Sequence, residues 1–250
     1  MPVEISIVIP AFNEESVIGE TITEVSEYLE NRGLDYELIV VSDGSTDRTL
    51  EIAQRFCEGN NRVKVLKNDR RMGKGFAVKK GVLAATGAVI AFTDADLSYP
   101  IEEVEKPLKL ISEKETDAAI GSRTVRGADI EVATSPLRKL MSLVFNFFVR
   151  IIAIPGIGDT QCGFKAFSHD AARDIFTRQT LAGFSFDVEI IYIAKKLGYR
   201  VMEFPIHLAR DSRASSINPV SDSLGMFIDI LRIRLLGIRG RYKKDKNIDR

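Results

Sequence analysis

The chain has 250 residues, 45% hydrophobic and 28% charged, an ordinary composition for a folded domain with its own core. Its 35 basic and 35 acidic residues cancel to a formal net charge of zero, so no global positive field argues for nucleic acid as a partner. Two cysteines, Cys57 and Cys162, lie far apart without metal-ligand spacing, which excludes a disulfide framework and points to a reducing, cytoplasmic compartment.

In chain order, Ile5 to Ile9 predicts a short apolar strand entered too early to leave room for a signal peptide. Pro10-Ala11-Phe12-Asn13-Glu14-Glu15 then turns into a helix running to about Glu30, with Val17, Ile18, Ile22, Val25 and Leu29 inward. Leu38 to Val41 repeats the strand and ends in Ser42-Asp43-Gly44-Ser45-Thr46-Asp47, where Ser45 or Thr46 can cap a helix from Arg48 to Phe56. Val63 to Leu66 is a third strand, and Gly73-Lys74-Gly75 opens a helix through Ala85. Asp43 can accept from a base imide, and Lys74 between two glycines can approach a phosphate; a solvated loop lysine is the plainer use. The spacing is not that of a P-loop, and no Gly-x-Gly-x-x-Gly follows the first strand, so ATPase and dinucleotide chemistry lose ground.

Val89-Ile90-Ala91-Phe92-Thr93-Asp94-Ala95-Asp96 reads as a central strand covered on both faces, delivering two carboxylates at its C-terminal edge. Residues two apart in an extended segment point the same way, so Asp94 and Asp96 can face one divalent ion and its phosphates. Helix capping is the alternative, because Ile101-Glu102-Glu103-Val104 looks helical. Alternating strands and helices with short loops predict an α/β fold: a Rossmann-like, doubly wound, mostly parallel sheet with amphipathic helices at its C-terminal end.

These segments, with Ile120-Gly121-Ser122-Arg123, Gly158-Asp159-Thr160-Gln161-Cys162-Gly163-Phe164-Lys165 and Phe186-Asp187-Val188-Glu189, resemble family-2 glycosyltransferases of the GT-A fold. The likeness runs from about Ile5 to Arg213 and is greatest to the branch that uses polyprenyl phosphates, its glucosyl members before its mannosyl ones. It implies metal-dependent, inverting transfer of a hexose from a nucleotide sugar to dolichyl or another polyprenyl phosphate, with UDP-glucose favoured over GDP-mannose. By position, Pro10, Ala11, Asn13, Glu14 and Asp43 would hold base and ribose, with Lys74 and Ala95 nearby, and Asp94 and Asp96 would bind Mg²⁺ or Mn²⁺. Arg123 and Arg138 would receive the lipid phosphate, Arg210 or Arg213 would close on the nucleotide phosphates, and Asp159 would face the sugar as base or orienting group. Gln161, Asp187 and Glu189 fall in the acceptor region, although Asp187 and Glu189 would equally suit a capped helix. Ser98 stands where the mannosyl enzymes carry Gln.

The chain accordingly divides into a nucleotide-sugar half at 1–97, an acceptor half at 98–215, and an amphipathic, basic segment at 216–250. A polyprenyl acceptor lives in a bilayer, yet no segment is expected to span one; the most apolar window, 140–154, falls short of the about 20 residues required. From 138 to 154 the residues Arg138, Ser142, Asn146 and Arg150 form one polar stripe on an otherwise apolar helix. Leu224 to Ile238 is similar and leads into a basic end, so both suit the cytoplasmic face of a membrane. A homodimer contact, a partner membrane protein or ordinary core are the rival uses. A soluble or polysaccharide acceptor, and a non-catalytic nucleotide-sugar-binding scaffold, are the rival functions.

Overall fold

Apolar residues of alternating orientation dictate how the chain layers. In the computed structural model, which describes residues 3–130, 149, 154–209 and 219–243, the strands β1 (Ile5–Ala11), β2 (Tyr36–Asp43), β3 (Val63–Asn68) and β4 (Val89–Phe92) run parallel. Further on, β5 (Ala118–Ser122), β7 (Lys165–Ser168) and β8 (Val201–Pro205) complete one sheet in the order β3-β2-β1-β4-β7-β5-β8. Among the described residues only β7 runs against its neighbours, β4 and β5. A short pair, β6 (Asp129–Ile130) with β9 (His207–Leu208), lies apart.

Successive strand side chains point to opposite faces, so each strand feeds two cores. Ile5, Ile7, Ile9, Leu38, Val40, Val89 and Ala91 pack with helix α1 (Ile18–Asn31) on one face. Val8, Ile39, Val41, Ile90 and Phe92 pack on the other with α3 (Lys74–Ala84), α5 (His169–Arg178) and α6 (Phe186–Lys196). Other α-helices among the described residues are α2 (Thr49–Arg55), α4 (Glu105–Ser112) and α7 (Pro219–Ile238). The expected doubly wound, mostly parallel sheet is therefore what forms. The strand order reverses between β1 and β4, and ligands of such sheets bind outside the C-terminal strand ends at this point.

Two local expectations change. The central strand stops at Phe92, where its register with β1 ends, and Leu97 N donates to Asp94 O at 3.2 Å to close a tight turn. Leu97 takes a left-handed φ of 45° in that turn, so Asp94 and Asp96 project from a bend and not from one face of an extended strand. The N-cap of α2 is Arg48, which offers no side-chain cap; Asp47 just before it takes the first-turn donors instead, its Oδ1 accepting from Thr49 N at 3.0 Å and Thr49 Oγ1 at 2.5 Å. Ser45 and Thr46 do not cap it: their hydroxyls turn to Asn13 in the neighbouring loop.

Arg138, Arg210, Arg213, the boundary at 215/216 and nearly all of the segment 138–154 lie outside the described residues. Among the described residues, no helix is long and apolar enough to cross a membrane.

Candidate active site

The loops after β1 and β2 are stitched to each other. Asn13, at a left-handed φ of 56°, receives Thr46 N on Oδ1 at 2.8 Å and donates its own N–H to Ser45 Oγ at 3.2 Å. Glu14 N donates to Thr49 Oγ1 at 2.7 Å, and Glu15 exchanges bonds with the Asp47–Arg48 turn. Pro10 and Ala11 lie opposite Val41 and Ser42 at the sheet's edge. These bonds fix the shape of the two loops in which base- and ribose-binding residues were expected.

Asp43 holds the next loop. Its Oδ1 accepts from Asn68 Nδ2 at 2.7 Å and Met72 N at 3.0 Å, and its Oδ2 accepts from Gly73 N at 2.8 Å. This buried carboxylate shapes the approach to Lys74, so the expected direct acceptance from a base competes with bonds already made. Gly73 sits at φ 106°, a backbone state in which a side chain is strained, and starts α3 so that Lys74 reaches across the switch point. Lys74 Nζ meets Asp94 Oδ1 at 2.5 Å.

Asp96 turns its Oδ1 to Ser98 N and Ser98 Oγ, at 2.9 and 2.8 Å, which closes the turn; it caps no helix, because the helical turn at Ile101–Val104 has Pro100 at its N-cap and no side-chain cap bond. The carbonyl of Ala95 receives Thr21 Oγ1 at 2.6 Å, which fastens the bend to α1. Burial first, and then Asp96, Asp94 and Asp47, push the Glu14 carboxyl up to about 7. Negative charge thus accumulates where a cationic ligand would relieve it. Among the described residues no group of three or more His, Cys, Asp and Glu side chains could hold a metal ion alone. Asp94 and Asp96 are hard oxygen donors suited to Mg²⁺ or Mn²⁺, and the charge beside them fits an ion completing its shell with diphosphate oxygens and water.

The acceptor-side assignments change more. Arg123 forks onto Asp159, Nε to Oδ2 at 2.6 Å and Nη2 to Oδ1 at 2.8 Å, while the amides of Arg123 and Gln161 each donate to it at 3.1 Å. Burial raises the Asp159 carboxyl, but the Arg123 fork and charge outweigh it and hold it below the usual carboxylate range. An ionised carboxylate with these four donors and 1% exposure is a poor base and a poor sugar contact. Asp159 instead positions Arg123, whose side chain stays 19% exposed. Gln161 Nε2 and Thr160 Oγ1 are buried without a hydrogen-bond partner among the described residues.

Asp187 and Glu189 are not open to an acceptor either. Asp187 Oδ1 pairs with Lys165 Nζ at 2.5 Å, and burial, opposed by Lys165 and Lys74, leaves its carboxyl raised. Glu189, wholly buried, accepts from Thr180 N, Thr180 Oγ1, Leu181 N and Tyr242 OH. Reading residue by residue missed Lys165 as a partner. A lone lysine amid the apolar strand Lys165-Ala166-Phe167 was itself the signal, because a buried ammonium requires a counter-charge.

A mostly parallel sheet that gathers carboxylates, a lysine and ordered loops at its switch point defines a glycosyltransferase of the GT-A type. Residues 6–176 match the family model described as Glycosyl transferase family 2. The chain belongs to that family. It is 31% identical to a dolichyl-phosphate beta-glucosyltransferase of Dictyostelium discoideum, over 96% of this chain and 76% of that one. It is 32% identical to the Homo sapiens enzyme of the same name, over 97% and 78%. Among solved structures it is similar to a glucosyl-3-phosphoglycerate synthase from Mycobacterium tuberculosis crystallised with Mn²⁺, UDP and phosphoglyceric acid, with a TM-score of 0.68 and 19% identity. That superposition covers 98% of this chain and 80% of that one.

Proposed function

We propose that this glycosyltransferase moves glucose from UDP-glucose to the phosphate of a polyprenyl phosphate such as dolichyl phosphate, inverting the anomeric carbon. The observation that carries the reading is the meeting of Lys74 with Asp94 at the switch point, beside Asp96, in a chain akin to the dolichyl-phosphate enzymes over nearly its whole length. An acceptor phosphate oxygen attacks the anomeric carbon, the bond to the β-phosphate oxygen breaks, and its electron pair leaves on UDP. A phosphomonoester has a second pKa of about 6 and arrives already ionised. No protein base is needed, which suits an Asp159 locked in its ionised form on Arg123.

The residues' tasks follow from charge. Lys74 offsets negative charge on the donor's diphosphate, as a positioned cation does where charge develops in the transition state. Asp94 and Asp96 would hold Mg²⁺ or Mn²⁺, which when bound neutralises charge on the leaving diphosphate. Arg123, fixed by Asp159, presents a guanidinium beside Tyr99 and Cys162 and receives the acceptor's phosphate.

The acceptor's tail calls for a membrane surface, and α7 supports one. Ile228, Leu231, Leu235 and Ile238 are exposed along it while Ile230 and Ile233 are buried against the body. Arg232, Arg234, Arg239 and Lys243 lie exposed on the same stretch. Each basic group near an anionic surface contributes about 1 kcal/mol, so adsorption to the cytoplasmic face of a membrane is the proposed location.

Transfer of labelled sugar from a panel of UDP- and GDP-hexoses to polyprenyl phosphate in detergent, with Mg²⁺, Mn²⁺ or EDTA, tests the reading. Metal-dependent lipid product from UDP-glucose alone supports it. Donor hydrolysis without lipid product overturns the acceptor, and product from GDP-mannose overturns the donor.

A further inference from the structure

The segment Phe186-Asp187-Val188-Glu189 stands apart from the donor and acceptor contacts above, yet three of its side chains are buried in polar or aromatic contacts behind the site. We infer that this first turn of α6 is a positioning device for the diphosphate site, setting the Lys74–Asp94 pair from behind.

Each side chain has its own line to the pair. The Phe186 ring is fully buried, 5.8 Å from the ring of Phe92, two residues before Asp94. It also lies so close to Gly75 that a Cβ there would fall 2.6 Å from Phe186 Cβ. Phe186 therefore wedges between the end of β4 and the first turn of α3, the two elements that present Asp94 and Lys74.

Asp187 acts through Lys165. The Lys165 ammonium is fully buried, donates to Cys162 O at 2.5 Å as well as to Asp187, and lies 5.5 Å from the Phe92 ring centroid. That bond pins the Cys162–Gly163 backbone, and Gly163 abuts the Asp94 carboxylate: a Cβ at Gly163 would lie 3.0 Å from Asp94 Cγ. A buried ion pair is costly to desolvate and weak evidence of stability. Here it immobilises the surface on which Asp94 rests.

Glu189 acts through the loop 179–183. Its carboxylate takes the amides of Thr180 and Leu181. The loop in turn presents Ala182 O to Phe76 N at 3.2 Å, and Gln179 Nε2 bonds Gly75 O at 2.9 Å. A Cβ at Gly73 would stand 2.5 Å from Ala182 O, so this loop is the floor beneath the start of α3. The turn thus braces the lysine from one side and the aspartate from the other.

The inference rests on the donor-site reading above, and the experiment separates the two. Asp187→Asn and the paired swap Lys165→Met/Asp187→Leu are compared with the full wild-type chain. UDP affinity in the presence of Mn²⁺ is measured by calorimetry, the KM of UDP-glucose and of polyprenyl phosphate by transfer, and folding by thermal melting. The paired swap removes both charges together, which cores tolerate better than one orphaned charge, so it carries the test if Asp187→Asn does not fold. The expected result is UDP·Mn²⁺ binding weakened by about tenfold or more, with the acceptor KM within about twofold of wild type. UDP·Mn²⁺ binding unchanged in a folded variant overturns the inference. So does a rise confined to the acceptor KM, which would return Asp187 to the acceptor site. Failure of the wild-type chain itself to bind UDP·Mn²⁺ would sink the donor reading instead.

Discussion

Asp159→Ala offers a sharp energetic test of the site as built. The wild-type carboxylate accepts two bonds from the Arg123 guanidinium and one each from the amides of Arg123 and Gln161. Removing one partner of a buried pair costs about 3–5 kcal/mol, because the other charge is left without compensation. Arg123 keeps 19% side-chain exposure and can draw water to its freed edge, which favours the lower end, about 3 kcal/mol. For a domain of this size that is a fall in Tm of about 6–12 °C. Urea unfolding of wild type, Asp159→Ala, Arg123→Met and the double variant gives the cycle, and the double variant should lose about 2 kcal/mol less than the sum of the singles. The sign with pH follows from the depressed carboxyl. Its stabilisation is present above the unfolded value of about 3.9 and is lost as the pH falls through the lower folded value. The difference between wild type and Asp159→Ala should therefore be constant from about pH 8 to 5 and shrink only in acid. A single-variant cost below about 1 kcal/mol, or no coupling in the cycle, would refute the argument.

Three other outcomes are expected. Asp96→Ala should lower metal-dependent transfer by roughly 10²–10³-fold, and near-normal rates with Mg²⁺ or Mn²⁺ would remove the aspartate from the diphosphate site. Tyr242→Phe deletes a hydroxyl bonded to the buried Glu189 at 2.7 Å. It should cost about 1.5 kcal/mol by urea unfolding, the low end for a bond to a charged group because Glu189 keeps its other donors. Leu231→Asp with Ile238→Asp changes outward residues of α7 and should alter unfolding by no more than about 0.5 kcal/mol each. The same pair should release the protein from anionic vesicles in flotation; continued binding would argue against α7 as the contact.

Much of the layering was legible in the residues. The alternation within Ile5 to Ile9 and Leu38 to Val41, and the turn clusters after each strand, are local signals set by the period of a strand and the needs of its turns. That Lys74, Asp94 and Asp96 gather at one end of the sheet was legible because the loops at the C-terminal ends of parallel strands share that end. That the strand ends as early as Phe92 was not legible, since a strand ends where its neighbour's register ends, and that neighbour, β1, lies some eighty residues upstream.

Chain order and composition by themselves determined the fold class, the loops at the C-terminal strand ends and the family likeness, because each of these depends on patterns within a few residues. Only the tertiary structure decided what the carboxylates do. Asp159 meets Arg123 across 36 residues, Asp187 meets Lys165 across 22 and Glu189 meets Tyr242 across 53. A carboxylate reads the same in sequence whether it faces substrate, a cation or a backbone amide. Its role is set by which group the packing brings within about 3 Å and by how much water is excluded there.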